Sequence, residues 1–273
     1  MPLFSLGNLP RCLPRSLPRC LRSAAVALVL AIAPAALVTN ASAQMTGQQR
    51  SEIETVIREY LVKNPEVLRD ALIELDRRAK AEEESQRRVA VDRLEGQIFN
   101  SKHQVVIGNP KGAISLVEFY DYNCGFCKRA LNDLVALIKI NPDLRVILKE
   151  FPVLSQGSVE AAHVAAAVKM QLPPDRFWNF HQKLMNSRGQ VGRAQAISVA
   201  KEFNVDMGRL GKDVESADVK SGIQENMKLG EALGINGTPS YVIGKDIVVG
   251  AVGLEALQAR ILNIRKCGKG TCD

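Results

Sequence analysis

Hydrophobic positions along the chain change their spacing near residue 44 and again near residue 104, and the three stretches so defined predict different structures. Residues 24–38 are a nearly continuous apolar run. From Ser51, which can cap a helix, Ile53, Val56, Ile57, Tyr60 and Leu61 recur at helical spacing; Val67, Leu68, Ala71, Leu72 and Leu75 do so after Asn64-Pro65. Asn64 suits a cap and Pro65 the first helical position, where a missing N–H costs nothing. Residues 77–88 have almost no apolar face. Glu83 with Arg87 and Glu84 with Arg88 are nevertheless i,i+4 pairs in the favourable order, so a solvated helix can continue. A helix from Pro65 to about Glu95 would be roughly 45 Å long at about 1.5 Å per residue, longer than a small domain is wide.

Beyond Gln104 short apolar runs alternate with helical patterns. Residues 105–107 end in the turn sequence Gly108-Asn109-Pro110-Lys111-Gly112, and residues 114–120 form a central strand. A helix over about 126–140 stops near Asn141-Pro142, and residues 144–150 make the next strand, a β-α-β unit with parallel pairing. Residues 152–236 read as helices: one capped by Ser158 and carrying Ala161, Ala162, Ala165, Ala166 and Val168, others from about Pro174 and Ala194, and a longer one over 218–233. Residues 161–167 are alanine-rich, which permits close helix contact, and Phe177, Trp178 and Phe180 are helix packing. Strands return at 240–243 and 247–249 around Gly244-Lys245-Asp246, a hairpin signal, and a helix over 254–264 closes an α/β domain.

Charge changes the picture at the start of the chain. Arg11, Arg15, Arg19 and Arg22 precede the apolar run, no acidic residue accompanies them, and Ala41-Ser42-Ala43 is a cleavage pattern, so residues 1–43 read as a secretory signal peptide. The alternative, a membrane anchor, asks for roughly 20 apolar residues, and this run is shorter and broken by Pro34. Cleavage removes Cys12 and Cys20 and leaves 230 of the 273 residues, and loss of four arginines takes the formal charge from +7 to +3. So small an excess predicts neither nucleic-acid nor membrane-surface binding. Four cysteines remain, in two close pairs, and export makes disulfide chemistry plausible for both.

The first pair is Cys124-Gly125-Phe126-Cys127, where the strand over 114–120 gives way to a helix. On a first helical turn, unpaired N–H groups at the positive end of the dipole favour a thiolate, the nucleophilic form, so Cys124 is the expected nucleophile. Cys127, on the same face, can then displace a partner from the mixed disulfide. The spacing alone also allows zinc, but no histidine follows Cys127, which argues against covalent haem attachment.

Residues 118–127, Glu118-Phe119-Tyr120-Asp121-Tyr122-Asn123-Cys124-Gly125-Phe126-Cys127, together with Gly237-Thr238-Pro239, resemble the DsbA-like branch of the thioredoxin superfamily. Tyr60-Leu61 and Asn64-Pro65-Glu66-Val67-Leu68 look like the extension of its ScsC-like (suppressor of copper sensitivity) members, which oligomerises in some of them. The resemblance implies a thioredoxin-like fold over 100–273 with a helical insertion at about 152–236, preceded by a helical extension and linker over 44–99. It implies thiol-disulfide exchange without a cofactor or metal, periplasmic location, misfolded secreted proteins as clients, a membrane redox partner that resets the cysteines, and homo-oligomers through residues 51–95. Thr238-Pro239 would be cis and would meet an extended client peptide beside Gly125 and Phe126, as in strand addition; an ordinary trans turn proline is the alternative. Glu118 would be a buried acid that relays a proton to or from Cys127, unless period-2 alternation turns it outward. Gly125-Phe126 departs from the Pro-His of the strong oxidase and, with Thr238, looks more like the isomerases, so isomerisation or reduction is expected ahead of oxidation. Oligomeric isomerases also hold several thiols around one client.

Other readings stay open. Copper binding or delivery would use the same two sulfurs as soft ligands, and a holdase would not need them. Cys267 and Cys272 are expected to form a local structural disulfide; a second redox pair, or a zinc site built from all four cysteines, is the alternative. His103, His163 and His181 are too scattered to suggest a site. The extension packs either back along the following domain or against copies of itself, and residues 80–88 have nothing with which to pack on a globular core.

Overall fold

The structure, a computed structural model, describes residues 45–272; the expected signal peptide lies outside them. The chain divides into two compact units at Val62. In the first, helix α1 (Gly47–Lys63) leaves Ile53, Val56 and Ile57 exposed along one face and buries none of its side chains.

The second unit begins with α2 (Pro65–Arg93), with Pro65 in its first turn as expected. Its first half is exposed, including Leu68, Leu72 and Leu75. Ion pairs of Glu74 with Arg77 and Arg78, Asp76 with Lys80, and Glu83 with Arg87 run along it. The pattern then changes: Val91 is 2% exposed, and Ile98 of the short α3 (Glu95–Phe99) is fully buried against the sheet. Burying an aliphatic side chain is worth roughly 1.5–3 kcal/mol, so this segment belongs to the core of the second unit. The expectation that the charged stretch has nothing to pack on is corrected at its end, where Arg88 pairs with Asp246 at 3.2 Å and Lys245 with Asp92 at 2.9 Å.

The sheet has the order β1-β3-β2-β4-β5. β2 (Ile114–Tyr120) lies at its centre, pairing parallel with β3 (Leu144–Glu150) and antiparallel with β4 (Ser240–Ile243). The edges are β1 (Val105–Gly108) and β5 (Asp246–Val249), both antiparallel. The β2–β3 crossover is α4 (Gly125–Ile140). Between β3 and β4 the insertion contributes α5 (Gln156–Lys169), α6 (Pro174–Met185), α7 (Arg193–Lys201), α8 (Met207–Asp213) and α9 (Ala217–Ala232), and α10 (Leu254–Cys267) follows β5. This is the thioredoxin-like arrangement with a helical insertion.

Both faces of the sheet are covered. Leu116 and Tyr120 of β2 pack with Leu131 and Leu134 of α4 and Phe177 and Phe180 of α6, while Val117 and Phe119 pack with Val91, Ile98 and Leu229. The alanines of α5 are buried where it packs on α7 and α9. At Gly230 of α9 a Cβ would lie 2.4 Å from the ring of Phe151, so only glycine admits this approach.

Candidate active site

β2 ends at Tyr120, and the loop Asp121-Tyr122-Asn123 delivers Cys124 to the N-cap of α4, with φ −76° and ψ 112°. Its sulfur accepts a hydrogen bond from the Cys127 N–H at 3.3 Å, the contact expected of a cap. Cys124 and Cys127 are both buried free thiols. The Cys127 thiol, the Thr238 side chain and the N–H groups of Cys127 and Phe126 stabilise the thiolate, outweigh burial and lower the Cys124 pKa to about 5. Burial, with the neighbouring Cys124 and Glu118, pushes Cys127 strongly upward. One sulfur is thus ionised at neutral pH while the other holds its proton.

The Thr238–Pro239 peptide bond is cis. It brings the Thr238 carbonyl to 3.1 Å from the Cys124 sulfur, and the Thr238 hydroxyl is buried without a hydrogen bond of normal geometry. The Pro239 carbonyl accepts from Gly250 N–H beyond β5. Gly125 and Phe126 begin α4, and the Phe126 ring is 58% exposed, with the Arg129 guanidinium 4.4 Å from its centroid.

Glu118 is 3% exposed, because β2 is the central strand and neither of its faces meets water at that position. Burial raises its pKa to about 8, the nearby Cys124 adds to the rise, and a hydrogen bond with Tyr241 opposes it. Glu118 therefore shares an electrostatic neighbourhood with both sulfurs.

Three residues that the sequence did not single out hold the loop. The Asp121 carboxylate accepts from the backbone N–H groups of Asn123 at 2.8 Å, Val153 at 3.0 Å and Leu154 at 3.1 Å, and its carbonyl accepts from Cys124 N–H. The Asn123 amide reaches Ser158 and Val191. Tyr122 meets His181 Nδ1 at 3.2 Å, and Tyr120 lies against both. Burial keeps His181 neutral, its pKa lowered to about 3. Asp121 and Asn123 beside a C-x-x-C are a signal in hindsight, since both residue types bond to loop backbone.

Cys267 and Cys272 are disulfide-bonded behind Gly268, which ends α10 in the left-handed region at φ 73°. Gly270 packs on Asp246, at the end of the sheet opposite Cys124 as the β2–β4 register requires. A four-cysteine zinc site is thereby not formed. Among the described residues no three His, Cys, Asp or Glu side chains are grouped as metal ligands.

A model of the DSBA-like thioredoxin domain matches residues 115–262, and one of the copper resistance protein ScsC N-terminal domain matches 49–82. A thioredoxin-like oxidoreductase from Silicibacter pomeroyi DSS-3 is similar, with 35% identity and a TM-score of 0.60 over 63% of this chain and 98% of that one. A linker-deletion mutant of Proteus mirabilis ScsC is 28% identical, with a TM-score of 0.62 over 82% and 99%. The probable disulfide bond formation protein D of Bacillus cereus is 24% identical over 162 residues, 54% of this chain and 74% of that protein. The chain spans 24% of the length of the Na(+)/H(+) antiporters of two Salinispora species that it also matches.

Proposed function

The chain belongs to the DSBA-like thioredoxin domain family of thiol-disulfide oxidoreductases, and on that footing we propose that it is an exported, periplasmic enzyme that isomerises or reduces disulfides in secreted protein clients. One observation carries the thiol-disulfide exchange itself, whichever way the electrons flow: Cys124 caps α4 with its pKa lowered to about 5, while Cys127 beside it keeps its proton. That asymmetry separates an attacking sulfur from a resolving one.

The Cys124 thiolate attacks a client disulfide, forming a mixed disulfide and expelling the client's other sulfur as thiolate. Cys124 loses its negative charge in that step. Because that charge helps to raise the Glu118 pKa, Glu118 ionises more readily once it is gone and can take the Cys127 proton. Cys127 then attacks the Cys124 sulfur, the second client thiolate leaves, and the enzyme is left oxidised and the client reduced by two electrons. A membrane redox partner would return the two electrons to the Cys124–Cys127 disulfide. In isomerisation a different client thiolate attacks the client sulfur of the mixed disulfide instead, so a new client disulfide forms and the Cys124 thiolate is released. The Thr238-Pro239 backbone, with Gly125 and the exposed Phe126, forms the surface along which an extended client lies.

Gly125-Phe126 and Thr238 favour isomerase or reductase. A disulfide oxidase is the second reading, and the lowered Cys124 pKa favours it, since stabilising the thiolate stabilises the reduced enzyme. Incubation with a scrambled-disulfide protein under a glutathione buffer distinguishes them. Regained client activity supports isomerisation, and oxidation of reduced client without such recovery supports the oxidase.

The similarity of residues 49–82 to the ScsC N-terminal domain and the exposed apolar faces of α1 and the first half of α2 support homo-oligomers. Val91 is buried, so the proposed interface leaves out the end of the expected 51–95 segment.

A further inference from the structure

We propose that Asn123 is a positioning residue for Cys124, through which the helical insertion sets the N-cap geometry of the nucleophile. This deepens the proposed exchange activity and rests on it. Asn123 directly precedes Cys124, and its amide leaves little hydrogen-bonding capacity idle. Nδ2 donates to the Val191 carbonyl at 2.8 Å and to Ser158 Oγ at 3.0 Å, and Oδ1 accepts from Val191 N–H at 2.7 Å. The partners lie 68 and 35 residues away in sequence.

The two-point bond to Val191 copies the exchange made by paired strands and fixes the plane of the amide. A carboxylate cannot donate to the Val191 carbonyl, and an alanine bonds to neither group. Ser158 in turn meets Ser155, whose hydroxyl caps α5 by accepting from Ser158 N–H at 3.1 Å. The segment before Val191 and the first turn of α5 are thereby tied to the residue that sets where the Cys124 sulfur lies. That sulfur depends on position: its N-cap contact with Cys127 N–H is 3.3 Å long, and hydrogen bonds weaken steeply with misalignment. The titratable groups that face Cys124 are Cys127 on α4 and Glu118 on β2, and substitution at 123 leaves both in place.

The test is the thiolate absorbance of the reduced full chain against pH, with the Cys124 step identified by its disappearance in Cys124→Ser. In Asn123→Ala the midpoint should rise by about one unit, a tenfold loss of thiolate at a pH below the midpoint. Ser158→Ala, which removes one of the three bonds, should raise it by less, roughly two- to threefold in thiolate. Should Asn123→Ala fail to fold, Ser158→Ala decides alone. A folded variant that lowers the melting temperature but leaves the midpoint where it was has only a structural effect, and that result would overturn the proposal. Wild-type protein without exchange activity would refute the proposed function, whereas the titration would still decide the role of Asn123.

Discussion

The Cys124 sulfur lies 3.1 Å from the carbonyl oxygen of Thr238, a residue 114 positions further along the chain. As a thiol it donates to that carbonyl. As a thiolate it is stabilised by the Cys127 thiol, by the neighbouring Thr238 side chain and by the first N–H groups of α4. Two ends of the fold therefore meet at one atom, and the residue before the cis proline helps to decide how much of that atom is ionised.

The first expectation concerns that ionisation. In reduced protein, thiolate absorbance should appear with a midpoint near about 5 and vanish in Cys124→Ser. The folded pKa is below the ordinary thiol value of 9.0, so the stability that Cys124 contributes is present above that value and is lost as pH falls through about 5. Denaturant midpoints of reduced and oxidised protein should accordingly diverge across this window, because the oxidised form has no thiol to titrate.

Glu118 has the opposite sign. Its folded pKa is raised, so its contribution is full below 4.5 and is lost as pH rises through about 8. Glu118→Gln should flatten that slope. It should also slow resolution of a mixed disulfide by on the order of 10²-fold, the lower end for a positioned base, and abolish the rise in rate that the wild type shows below pH 8 as Glu118 ionises. A resolution rate equal to wild type would remove Glu118 from the mechanism.

How far the sequence could be read follows from how far each side chain reaches. Cys124, Cys127 and Pro239 are chemical types at recognisable spacings, and the β-α-β unit and the hairpin were legible from period and turn residues. The face taken by Glu118 was not, because alternation cannot distinguish inside from outside on a strand covered on both sides. Asp121 and Asn123 escaped because their partners are mostly backbone groups, most of them 32 to 68 residues away, which no local pattern encodes. His181 looked isolated for the same reason. Val91 was hidden at the end of a charged helix whose preceding turns are mostly solvated.

Replacing Cys267 and Cys272 with serine should lower stability by about 2 kcal/mol at most, since so short a loop restrains little chain entropy. Exchange activity should persist, because the disulfide lies at the other end of the sheet. Denaturant titration and an insulin-reduction assay check the two halves of this expectation.

Ile57→Asp combined with Leu72→Asp places charges on the exposed apolar faces of α1 and α2. Light scattering should show the mass fall to that of a monomer. Reduction of a simple disulfide should survive, and recovery of scrambled client should fall, because several thiols no longer surround one substrate. A mass unchanged from wild type and already monomeric would end the oligomer proposal.

The central claim is that Cys124 attacks and Cys127 resolves. Its most direct measurement is recovery of mixed disulfides from cells that export Cys127→Ser, compared with Cys124→Ser. The account predicts client adducts joined through Cys124 in the first and none in the second. Adducts of equal abundance through Cys127 in Cys124→Ser would contradict it.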